Sequence, residues 1–113
     1  MKPSKLLVAS LLLLASTAAM ADGDVAKGKS IYTANCMACH GMAGDGNGPA
    51  AVALTPKPKS FADPAFWEGR TDEALATTIR AGKPGTAMAP FPQLKDEDIA
   101  NLTAYLRSFV PAQ

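Results

Sequence analysis

Cys36-Met37-Ala38-Cys39-His40 decides how this chain is read, because these five residues hold both cysteines and the only histidine of a 113-residue sequence. Two thiols separated by two residues and followed at once by an imidazole form the attachment pattern of c-type haem. The thiols can add across the two vinyl groups as thioethers, and the adjacent histidine is then carried beneath the iron as an axial ligand. Other chemistries fit these residues less well. A redox dithiol wants a strand-to-helix setting in a βαβ chain, and no strand pattern surrounds this segment. Tetrahedral zinc needs four ligands, usually from two separated pairs, and the sequence has no second pair. A structural disulfide would leave His40 without a role.

Toward the N-terminus, Lys2 and Lys5 supply a positive start, Leu6 to Leu14 an apolar run, and Ala19-Met20-Ala21 a small-x-small ending. That is the pattern of a cleaved secretory signal peptide over residues 1–21, and it directs the chain to the periplasm. An uncleaved anchor is the competing reading, but the uncharged stretch from Leu6 to Ala21 falls short of the roughly 20 residues that span a bilayer. No cysteine follows the cleavage site to carry a lipid.

Cleavage leaves residues 22–113 as one small domain with a thin core, to which a buried haem would add apolar surface. Loss of Lys2 and Lys5 lowers the basic count from 11 to 9 against 10 acids, a formal charge of −1 before the haem propionates. A near-neutral chain of this kind gives no support to nucleic-acid binding, and no further apolar stretch is long enough for a membrane span.

The mature region reads as all-α, short helices joined by Gly- and Pro-rich loops. Asp24 can cap a helix running to Cys36, with Val25, Gly28, Ile31 and Tyr32 spaced to share one face. Asp63-Pro64 can start a short turn that presents Phe66 and Trp67. Thr71 opens another helix, with Leu75 and Ile79 four apart and its end marked by Arg80 and Gly82. Ile99, Leu102, Leu106 and Phe109 recur at helical intervals in the last one, beside Tyr105 and before Pro111.

The loop from Gly41 to Pro49 contains four glycines but no Gly-Lys-Ser/Thr and no leading strand, so it is not a phosphate loop. Residues without a Cβ would let its backbone lie close to a flat macrocycle, and a carbonyl there could accept the His40 Nδ1 proton. A second axial ligand cannot be histidine. Met20 leaves with the signal, Met37 lies between the cysteines, and Met42 is too near His40 to reach the other haem face. Met88 remains, in the small, turn-prone run Gly85-Thr86-Ala87-Met88-Ala89-Pro90. Methionine also fills core gaps, but flanking Gly and Pro argue against a helical core position.

Together these features resemble the class I cytochrome c family over essentially all of Asp22 to Gln113. Gly28 and Tyr32 resemble the family's N-terminal helix pattern, Leu102 and Tyr105 its partner positions on the last helix, and Cys36, Cys39, His40 and Met88 its attachment and ligand residues. The resemblance implies a small all-α fold around one covalent haem c. It implies that the carbonyl of Pro49 receives the histidine proton, and it makes Lys57, Lys59, Trp67 and Arg70 candidates for the haem environment. One departure is Lys95, where relatives often start the last helix with Ser or Thr; a lysine cannot accept the capping hydrogen bond. Asp96, Glu97 and Asp98 still favour the positive end of that helix, and Leu94 with Ile99 has staple spacing.

The implied function is one-electron transfer rather than enzymatic catalysis, by a monomer that docks transiently with a redox donor and acceptor at the haem edge. Weak charge steering is expected of a near-neutral chain. Two alternatives remain: a haem subunit of a periplasmic dehydrogenase or oxidase, and a sensor or peroxidase if Met88 ligates weakly.

Overall fold

Asp24 sits in extended backbone and its carboxylate accepts from the Lys27 N–H at 3.1 Å, which starts helix α1, Val25–Asn35. The computed structural model describes residues 23–111, so the expected signal peptide at 1–21 lies outside the described residues. After α1 come α2 (Met37–His40), a 3₁₀ turn (Ala51–Ala53), α3 (Pro64–Trp67), α4 (Asp72–Ala81) and α5 (Asp96–Arg107). Among the described residues there is no strand.

The fold turns on the crossing of α1 with α5. A Cβ added at Gly28 would lie 2.0 Å from the Asn101 carbonyl oxygen, so the two backbones meet where only glycine fits. One turn further on, Tyr32 and Leu102 are each 1% exposed, and the Tyr32 ring packs against Tyr105 and Phe109. Burying a leucine-sized side chain contributes about 1.5–3 kcal/mol, so this pair and its neighbours Ile99 and Leu106 hold the helices together. Val25 departs from the expected face: it is 47% exposed, leaving Gly28 and Tyr32 as the buried positions of α1, with Ile31 half-buried. Asn101 was not foreseen from sequence. It is buried beside this crossing, and its Oδ1 accepts from the Asp24 N–H at 2.8 Å, satisfying a free donor of α1 with a residue of α5.

The other helices start as their capping residues dictate. Asp63 Oδ1 accepts from the Ala65 N–H and Thr71 Oγ1 from the Ala74 N–H, at 3.0 and 3.1 Å. Leu75 and Ile79 then turn α4 onto the core formed by Tyr32, Phe61, Ile99, Leu102 and Leu106. Two ion pairs, Arg80 with Asp96 and Arg107 with Asp72, join α4 to α5 at the surface, where such pairs contribute little. Lys95 occupies the N-cap of α5. Half of a capping box forms: the Asp98 carboxylate accepts from the Lys95 N–H at 2.9 Å, but an ammonium has no lone pair to return to the first turn.

Gly28→Ala is expected to destabilise the protein. Overpacking at a rigid carbonyl costs about 1–3 kcal/mol and outweighs the roughly 1 kcal/mol of helix propensity gained. Lower urea midpoints with unchanged slope would report it. Lys95→Ser should act in the opposite direction, adding about 0.5–1.5 kcal/mol by supplying the missing acceptor while leaving the visible spectrum alone. Equal or lower stability would mean that Lys95 contributes through another contact.

Candidate functional site

The attachment segment is built at the end of α1. Cys36 closes that helix, its N–H donating to the Tyr32 carbonyl at 2.8 Å, and at once opens α2. The Cys39 and His40 N–H groups both donate to the Cys36 carbonyl, at 3.3 and 3.0 Å, so the two cysteines and the histidine share one helical turn. Positions three and four apart lie on one face, which is how five residues of sequence become one wall of a site. The Gly41–Pro49 loop then wraps this turn. Gly46, Gly48 and Ala50 donate to the carbonyls of His40, Cys39 and Ala38, at 2.8, 3.0 and 2.9 Å. A Cβ at Gly48 would stand 2.3 Å from the Ala38 oxygen. That close approach is to the attachment turn itself. The Tyr32 hydroxyl donates to the Gly41 carbonyl and ties the loop back to α1.

A cavity of about 280 Å³ opens on this wall, lined by Asn35, Cys36, Cys39, His40, Leu54, residues 56–59, Lys83, residues 86–89 and Phe91. It adjoins a smaller space of about 80 Å³ that shares Cys36, His40, Lys59, Lys83 and Met88 and is lined from the core by Leu75, Ile79, Leu102 and Leu106. Two thiols, an imidazole and a thioether therefore face one apolar cleft, a donor set that fits a covalently attached, axially ligated haem.

His40 is held on two sides. Its Nδ1 lies 3.0 Å from the Lys59 carbonyl, and its ring stacks on Phe61 with centroids 4.5 Å apart. Burial lowers the imidazole pKa below its ordinary value, and the Lys59 carbonyl offsets part of that. With Nδ1–H donated to a carbonyl, Nε2 keeps its lone pair for a metal. The acceptor corrects the expectation for Pro49: the carbonyl at His40 is that of Lys59, brought there by the segment that leads into Phe61. Burial, followed by the neighbouring Cys39, pushes the Cys36 thiol up to about 11. A redox dithiol needs a depressed pKa, so the protonated Cys36 speaks against that chemistry.

Met88 reaches the cleft from the loop after α4, which folds back on its own helix. The Lys83 N–H donates to the Met88 carbonyl, the Met88 N–H to Thr86 Oγ1, and the Phe91 N–H to the Ile79 carbonyl, at 3.2, 3.2 and 3.0 Å. Met42 is 81% exposed, while Met37 is half-buried against the core and lines neither cavity. Lys57 and Lys59 are exposed at the cleft, and Arg70 lines its inner part while its guanidinium covers the Phe66 ring at 4.0 Å. Trp67 does not join them. Its indole N–H donates to the Phe61 carbonyl at 2.9 Å, and the side chain lines neither space. Phe61 and Lys83 were missed from the sequence, because both lie in loops whose residues follow no helical period.

Residues 25–109 match the cytochrome c family. Cytochrome c-554(547) of Halothiobacillus neapolitanus is 39% identical over 88 residues, covering 74% of this chain and 94% of the relative. The Cbb3-type cytochrome c oxidase subunit CcoP of an Azospirillum species is 36% identical over 87 residues, 76% of this chain but 29% of that longer protein. Cytochrome c6 from the diatom Phaeodactylum tricornutum superposes with a TM-score of 0.56 at 33% identity, covering 76% of this chain and 93% of the other.

Proposed function

This chain belongs to the cytochrome c family and carries covalently bound haem c, and from that premise we propose that it is a periplasmic one-electron carrier whose axial ligands are His40 and Met88. The observation that carries the reading is the single cleft lined by Cys36, Cys39, His40 and Met88, while Met42 faces solvent. Cys36 and Cys39 are the thioether positions. Haem c, when bound, supplies a one-electron ferric/ferrous couple.

The chain's own residues set the conditions for that couple. The Lys59 carbonyl keeps the proton on Nδ1 and leaves the Nε2 lone pair free for a bound iron. Leu75, Ile79, Leu102 and Leu106 keep water from the inner cleft, and a low dielectric disfavours the extra charge of the ferric form. The Met88 thioether, a soft ligand, favours the ferrous form as well, so both raise the potential. With His40 and Met88 both ligating, a bound haem would be left no open position, which favours electron transfer over ligand sensing or peroxide chemistry. Lys57, Lys59 and Arg70 are the proposed propionate partners. The pattern of residues 1–21 supports export, and the partners are a redox donor and acceptor that dock where the cleft opens. The likeness to an oxidase subunit favours one second reading, a haem module held in a larger complex, which stable copurification with other chains would reveal.

Denaturation followed by acid-acetone extraction should leave the haem on the polypeptide, and replacing both Cys36 and Cys39 by Ala should release it. Free extraction from the unsubstituted protein would overturn the thioether assignment. Met88→Ala should abolish the ferric sulfur-to-iron charge-transfer band at the red end of the spectrum and lower the potential, whereas Met42→Ala should do neither. Persistence of the band in Met88→Ala would assign the sixth ligand elsewhere.

A further inference from the structure

The geometry points to Phe61 as a positioning residue that sets the plane of the His40 imidazole, working with the Lys59 carbonyl two residues before it. The inference rests on the proposed ligation by His40 and goes beyond it. A hydrogen bond at Nδ1 fixes where one edge of the ring lies but leaves the ring free to tilt about that contact. A second contact on the face removes this freedom. Phe61 provides it, with its ring centroid 4.5 Å from that of His40 and the planes 28° apart, a stacked arrangement. With His40 ligating a bound haem, the rotation of the imidazole plane about the iron–nitrogen bond would decide which iron d-orbital meets its π system, so the same stack would set the histidine's contribution to the magnetic axes of the ferric centre.

Phe61 is itself unable to yield. It is 6% exposed, its N–H donates to the Gly44 carbonyl at 2.6 Å, and its carbonyl accepts from the Trp67 indole at 2.9 Å. The Phe66 ring meets it edge-on at 5.2 Å, and the Tyr32 ring does so at 6.5 Å. Trp67, whose indole N–H bonds the Phe61 carbonyl, therefore acts through Phe61. Because Gly44 belongs to the loop that wraps the attachment turn, the stacking ring is referenced to the same backbone that holds His40.

The ferrous holoprotein gives a direct test by proton NMR. Ring protons of an axial histidine are displaced far upfield by the macrocycle, and those of His40 should show nuclear Overhauser contacts to the Phe61 ring. Displaced His40 protons without contacts to Phe61 would overturn this inference alone. Undisplaced protons would overturn the ligation on which it rests. In the ferric state, Phe61→Leu should rotate the magnetic axes and change the spread of electron-paramagnetic g-values, and Phe61→Tyr, which keeps an aromatic face, should restore both. Ile99→Val serves as the control, since it trims a buried side chain of the same core that lines neither cavity; it should lower stability with the g-values unchanged. Wild-type g-values in Phe61→Leu would reduce Phe61 to packing. Should Phe61→Leu fail to assemble, the contacts measured in the unsubstituted protein still decide.

Discussion

The contact between Gly28 and the Asn101 carbonyl is the constraint from which the site follows. Because a Cβ at Gly28 would come within 2.0 Å of that oxygen, α1 and α5 cross with their backbones almost touching, and the direction of α1 is thereby fixed. Cys36 caps the end of α1 and the start of α2, so fixing the one helix aims the other. The hydrogen bond from the Asp24 N–H to Asn101 fixes α1 lengthwise as the glycine contact fixes its distance. A helix crossing at Gly28, ahead of the cysteines, thus determines where two thiols and an imidazole face.

Around the attachment turn the work of holding is done mainly by backbone groups. The carbonyls of Ala38, Cys39 and His40 are received by loop N–H groups, that of Gly41 by the Tyr32 hydroxyl, and the imidazole itself by the Lys59 carbonyl. This division follows from composition. A segment of two cysteines, a methionine, an alanine and one histidine has few side-chain donors or acceptors to spare, and buried carbonyls left unpaired would cost about 1–3 kcal/mol each. Glycines enter for the same reason, since a loop can bond to α2 only if it lies flat against it. Rigidity acquired in this way leaves the side chains free to act as ligands, which a site held by side chains could not do.

What the sequence disclosed and what it withheld divide along this line. Helix starts were legible at Asp24, Asp63 and Thr71 because capping depends on residues within one turn. The faces of α4 and α5 were legible because burial repeats with the helical period. Met88 could be singled out because alternatives were few. The histidine's acceptor could not be found so, since every residue has a carbonyl and only the path of the chain decides which one arrives; the resemblance named Pro49, and the loop delivers Lys59. Phe61 and Asn101 failed to stand out for a related reason. Each is an ordinary residue whose importance comes from a partner 21 or 77 positions away.

Net charge proves a poor guide to the field at the cleft. A chain with 9 basic and 10 acidic residues after residue 21 promises weak steering, yet its charges are sorted. Lys57, Lys59 and Lys83 line the opening and no Asp or Glu does, whereas Asp96, Glu97 and Asp98 gather at the start of α5. The two ion pairs sharpen the contrast, because both consume carboxylates with arginines on α4 and α5 and leave the three lysines out of them. With a Debye length of about 8 Å at physiological ionic strength, an approaching protein responds to the charges of the patch it meets and hardly to those on the far side. The charged side chains that line the opening are therefore all basic, and two propionates would offset much of that charge. The acidic start of α5 contributes no residue to the lining of the opening: Asp98 bonds the Lys95 N–H, Asp96 pairs with Arg80 at the surface, and all three carboxylates favour the positive end of the helix.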